Sequence, residues 1–177
     1  MKFQARQQKN ALGFTLVEML VYMVLLVLVV SSVIALLFWV VRANNQTQAR
    51  KEVVESVEHA LLVMTNEIRE SQSVYTPTTT AAQLSVETFK NPPSGETSAY
   101  VDFFLCGVRI CEKRESQAPL AITSERIEVQ GLEFILVQTG EVPSVRVEVN
   151  ARYANPANRP ELEAVFEVGK TISLRAY

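Results

Sequence analysis

The sequence predicts an α+β fold, with one long N-terminal helix whose second half lies along an antiparallel β-sheet. Three observations point to it. Residues 19–41 are a run of 23 without a charge, most of them Leu, Val, Ile, Phe or Met. Residues 46–73 contain neither Gly nor Pro and repeat apolar side chains at steps of three and four. The remainder, between loop-forming stretches, alternates apolar and polar residues as half-buried strands do.

As a helix, the charge-free run is about 35 Å long, enough for a hydrocarbon layer of roughly 30 Å. Core helices of soluble domains seldom exceed about 14 wholly apolar residues, so a membrane span is the better reading. Only one such segment exists, so the chain crosses at most once. The run is too long for the apolar region of a secretory signal, about 7–15 residues, and no small-x-small cleavage site ends it. Lys2, Arg6 and Lys9 lie before it and Arg42, Arg50 and Lys51 after it. The positive charges therefore tie, and they do not orient the chain. One acid, Glu18, stands at the mouth of the apolar run and needs a compensating partner.

Beyond the run, Val53, Val57, Leu61, Met64 and Ile68 form a stripe, flanked by Val54 and Ala60. Lys51, Glu55, Glu58, Glu67, Arg69 and Glu70 sit off it. This is an amphipathic helix continuing the apolar one, about 60 residues in all, and its stripe requires a partner. Residues 76–82 and 91–98 read as loops through Pro, Gly, Ser and Thr. Strands are expected over residues 83–90, 99–106, 109–115 and 127–138. The clearest alternation is Val145, Val147, Val149, Ala151 and Tyr153, with Arg146, Glu148, Asn150 and Arg152 between them. One face of that strand is apolar and the other charged. A final hairpin is expected from residues 162–168 and 171–175, turning at Gly169-Lys170.

The 177 residues suit one modest domain plus an appendage. Net charge is −2, and it becomes −5 without residues 1–13. That balance argues against nucleic-acid binding driven by net charge. Asp102 is the only Asp, so there is no Asp-rich calcium loop. No Gly-rich phosphate loop, nucleophile elbow or His metal spacing is present. No catalytic residue, cofactor site or metal site is expected, and the chain reads as non-enzymatic.

Gly13-Phe14-Thr15-Leu16-Val17-Glu18 gives the opening segment a more specific meaning. It resembles the processing site of type IV prepilins and type II secretion pseudopilins: a short basic leader ending in Gly, then Phe or Met, a few apolar residues, and Glu fifth after the cut. The resemblance implies a pilin-like fold, cleavage between Gly13 and Phe14 by a prepilin peptidase on the cytoplasmic side, and N-methylation of Phe14. It orients the chain with the leader inside and the head outside the cytoplasm of a bacterium, anchored in the inner membrane. The implied divisions are a leader (1–13), a transmembrane or filament-core helix (14–41), an amphipathic helix (42–75) and an antiparallel β-sheet head (76–177). Residues 60–74, 120–134 and the closing KTISLRAY resemble, more weakly, the helix end and head strands of minor pilins and J-type minor pseudopilins. Major pilins usually have a helix-distorting Pro where this chain has Ala35, and many have a C-terminal disulfide loop that is missing here. Both departures point to a minor subunit.

Glu18 has two readings, a snorkelling acid near the membrane edge or, by the resemblance, the partner of a neighbouring subunit's Phe14 ammonium. Gly13 is either a turn glycine or the cleavage residue. Cys106 and Cys111 are either reduced core cysteines or a disulfide within a hairpin turning at Gly107. Only a four-residue loop would set them directly opposite. His59, the only histidine, reads as a solvated or helix-packing side chain. The function expected is a structural assembly subunit, a minor pseudopilin or minor pilin at the tip or start of its fibre. Its partners would be other pilins or pseudopilins, the prepilin peptidase, and an inner-membrane platform with a separate cytoplasmic ATPase. The alternative is a membrane-anchored, pilus-associated binding module (an adhesin or DNA-uptake receptor), which would show a basic or aromatic cluster on one sheet face.

Overall fold

The computed structural model describes residues 15–138 and 143–175. Helix α1 spans Leu16–Glu70, and the chain divides into two compact units between Arg42 and Ala43. In the first unit every large apolar side chain from Leu16 to Val41 is exposed, from 46 % at Val40 to 82 % at Leu16. The most apolar 18 residues of the helix have a mean hydropathy of 3.1, and none is buried. A helix of this length and composition is able to cross a membrane.

In the second unit, the head, α1 becomes amphipathic. Ala49, Val53, Val57, Ala60, Leu61, Met64 and Ile68 are buried, which is the stripe read from the sequence. Helix α1 stops at Glu70, short of residue 75. The Ser71 hydroxyl donates to the Ile68 carbonyl at 2.7 Å, and the Gln72 N–H donates to the Glu87 carbonyl at 2.8 Å. Once that donor serves a strand, the next residues continue as β1 (Ser73–Val74).

The head is α+β, with its strands divided between two antiparallel sheets instead of one. The first has the order β1, β2 (Gln83–Thr88), β3 (Ala99–Cys106), β4 (Arg109–Arg114) and β5 (Leu120–Ala121). The second contains β6 (Ile127–Gln138), β7 (Pro143–Tyr153) and β8 (Val165–Ser173), with β7 in the middle. Both sheets and the helix stripe contribute to one buried cluster, with Leu84, Val86, Val101, Phe103 and Ile110 from the first sheet and Val145, Val147, Val149 and Ala151 from β7.

Strand β6 contains a device that the alternation alone does not reveal. Ile127 and Val129 are buried, but so are Leu132 and Phe134, which are out of phase with them by one residue. A β-bulge reconciles the two sets. Val129 pairs with Ala151 and Gly131 with Asn150, so Gln130 is the extra residue. Inserting one residue flips the pleat, which returns the second apolar pair to the core face.

The expected C-terminal hairpin does not form. Residues 165–173 are one strand, paired with β7 without interruption from Arg152↔Val165 to Ser144↔Ser173. Leu162 belongs to a short 3-10 turn, Pro160–Leu162. Gly169, expected in a turn, sits mid-strand opposite Glu148. A Cβ there would lie 3.3 Å from the Arg146 guanidinium, so the glycine leaves room for the neighbouring Arg146–Glu148 ion pair.

The end of the helix is tied to the first sheet by charge. Arg114 contacts Glu67 at 3.1 Å and Glu112 at 3.7 Å, all three side chains being largely buried, and Lys90 holds Glu70 at 2.9 Å. Burial, followed by the charge of Glu67, raises the Glu112 carboxyl above its ordinary 4.5. The folded chain therefore holds this proton more tightly than the unfolded chain does. The contribution is favourable below the unfolded value and is lost as pH rises through the folded one. Glu112→Gln is accordingly expected to raise the melting temperature at pH 7, with the gain closing by about pH 4. Equal gains at both pH values would contradict this.

Candidate processing and assembly site

Thr15 immediately precedes α1 and occupies its N-cap. Its Oγ1 accepts a hydrogen bond from the Glu18 N–H at 3.2 Å, and its carbonyl accepts from the Met19 N–H at 3.2 Å. Thr-x-x-Glu is the capping-box pattern, and an acid in the first turn also suits the positive end of the helix dipole. The half-buried Glu18 carboxylate is engaged further along the helix, where Oε1 accepts from the Tyr22 hydroxyl at 3.0 Å. Reading the sequence assigned no role to Thr15 or Tyr22, although Thr-x-x-Glu and the i,i+4 spacing both signalled one. Gly13 and Phe14, with the expected cleavage and leader, lie outside the described residues.

Cys106 and Cys111 are joined as a disulfide with a Cα–Cα distance of 5.8 Å, within the usual range for such a bond. The turn between β3 and β4 is the two-residue one, Gly107-Val108, with Gly107 at φ +70°. Cys106 pairs with Arg109 and Cys111 with Phe104, so the sulfurs meet diagonally on one face instead of directly opposite. Closing so short a loop is worth about 2 kcal/mol in the chain-entropy account.

The other singled-out side chains make contacts within the head. His59 Nδ1 lies 3.4 Å from the Ile122 carbonyl oxygen, a contact from helix to loop. Asp102 accepts from the Ser85 hydroxyl at 2.6 Å across the β2–β3 pair. Among the described residues no group of three or more His, Cys, Asp or Glu could hold a metal. On the outer face of β7, Arg146 contacts Glu148 and Arg152 contacts Glu128, each at 2.7 Å. These arginines are neutralised in place and do not form a basic cluster.

No curated protein and no solved structure matches the chain. Residues 8–38 match the prokaryotic N-terminal methylation motif. That segment includes the N-cap, Glu18 and Tyr22, and most of the exposed apolar helix. Residues 8–38 thus carry the N-terminal methylation motif of type IV prepilin-like proteins.

Proposed function

We propose that this chain is a minor pseudopilin of a type II secretion system or a minor pilin of a type IV pilus, placed at the tip or start of its fibre. The observation that carries the proposal is the methylation motif at residues 8–38, most of which lies in the first part of the 55-residue helix α1. A prepilin peptidase cuts between Gly13 and Phe14 and methylates the new amine. The apolar half of α1 holds the subunit in the inner membrane, with the head outside the cytoplasm, where the Cys106–Cys111 disulfide is maintained. On extraction by a separate ATPase-driven platform, lipid contacts exchange for contacts with the helices of other subunits, and the Glu18 carboxylate meets a neighbour's Phe14 ammonium. Such a pair is poorly screened in an apolar bundle, so it sets register more than it adds stability.

Intact-mass analysis of the protein from its native host tests the first step. A mature chain beginning at Phe14 and one methyl group heavier than the bare sequence is expected. Retention of residues 1–13 would overturn the proposal.

A further inference from the structure

Tyr22 is a polar residue in the apolar helix to which nothing so far assigns a task. It lies four residues after Glu18, and its hydroxyl donates to Glu18 Oε1 at 3.0 Å. That spacing stacks two side chains on one helix face. Helical side chains lean toward the N-terminus, so the Tyr22 hydroxyl reaches back to the turn that bears the acid. Its surroundings on the helix are hydrocarbon, with Val21, Met23, Leu25 and Leu26 all exposed alongside it. Apart from the N-cap hydroxyl of Thr15, the next side-chain hydroxyls along the helix, Ser31 and Ser32, are more than two turns from Tyr22.

In a membrane the arrangement answers a specific difficulty. A carboxylate facing lipid without a donor is one of the costliest groups a helix can carry. A full ion pair would remove the difficulty, but in the assembly proposed above the ammonium that supplies it belongs to another subunit and arrives only on assembly.

We propose that Tyr22 is a positioning residue for assembly: its hydroxyl holds one oxygen of the Glu18 carboxylate while the subunit waits in the membrane, and leaves the other to receive a neighbour's ammonium. This rests on the Glu18 pairing proposed above. A hydrogen bond from a neutral phenol leaves the carboxylate charged, so the attraction for the ammonium remains. Holding one oxygen also restricts the side-chain rotamers before docking, which lowers the ordering cost at the moment of binding.

Tyr22→Phe removes only the hydroxyl and keeps the ring that could anchor the helix at the membrane interface. Two readouts on the full chain are combined. The first is the amount of protein in the sheared-fibre or pseudopilus fraction of the native host, relative to its membrane pool. Loss of a hydrogen bond to a charged group is expected to lower this about tenfold. The second is the infrared difference spectrum between parent and Tyr22→Phe in phosphatidylethanolamine–phosphatidylglycerol vesicles. A shifted carboxylate stretching band is expected, and it vanishes when the same pair is compared in a Glu18→Gln background.

Each outcome decides something. If Glu18→Ala assembles normally, the Glu18 reading falls and this proposal with it. If Glu18→Ala is defective but Tyr22→Phe assembles normally, the Tyr22 proposal alone is overturned. If both are defective but no carboxylate band depends on the hydroxyl, the hydroxyl acts on a group other than Glu18 and the proposal is again overturned. Defective assembly of both variants, together with the Glu18-dependent band, supports it.

Discussion

Replacing Val57 with aspartate is expected to prevent the head from folding. Val57 lies mid-stripe on α1 with no exposed surface, in the same buried cluster as Phe103, Val147 and Ile127. Its replacement removes an apolar side chain worth about 1.5–3 kcal/mol and brings in a carboxylate that has no cation in that cluster. An uncompensated buried charge costs about 3–5 kcal/mol or more, against a typical domain stability of about 5–15 kcal/mol. Leu62 provides the control, because it lies on the same helix but is 55 % exposed. Leu62→Asp is expected to stay within about 0.5 kcal/mol of the parent, as surface changes usually do. Thermal unfolding of the full chain in detergent micelles separates the two: Val57→Asp loses the cooperative head transition, and Leu62→Asp keeps it. A Val57→Asp variant that melted near the parent would show that the stripe is not what fastens the helix to the sheets.

The second large effect is expected at Glu18. In the proposed fibre, Glu18→Ala leaves the neighbour's ammonium buried among hydrocarbon without a counter-charge. Removing one member of a buried pair costs about 3–5 kcal/mol, so incorporation should fall roughly a hundred- to several-thousandfold. Glu18→Gln should behave similarly, since it restores shape and hydrogen bonding but not charge. Neither change should alter head melting, because residue 18 lies in the first unit and the head core begins at Ala49. Normal fibre levels of the alanine variant, measured against its membrane pool, would refute the pairing.

How much of this was legible from sequence varies from element to element. Strands β3 and β6 span the expected residues, because apolar alternation and flanking turn residues agree there. The helix stripe was equally readable, since 3.6-residue periodicity belongs to a single element. The division into two sheets was not, because local alternation says that a strand has a partner without saying which. Strand β8 was misread because Gly169-Lys170 has the composition of a turn. Only the register against β7 shows that the glycine gives way to Arg146 from the neighbouring strand. At the N-terminal site, Glu18 was visible as an anomalous acid, whereas Tyr22 passed for one more apolar residue. One hydroxyl on an otherwise apolar helix leaves no periodic trace.

The bulge at Gln130 also bears on how the head can change in length. Losing an internal strand residue normally slides everything beyond it to the opposite face. In β6 the bulge already holds one residue more than the partner strand, so removing Gln130 would make Val129↔Ala151 and Gly131↔Asn150 consecutive pairs and keep Leu132 and Phe134 on the core face. The surface loop at residues 91–98 has no such phase to keep and can shorten or lengthen freely. Gln130 is therefore spare length: β6 absorbs the loss of one residue there, and elsewhere along the strand only changes that come in compensating pairs.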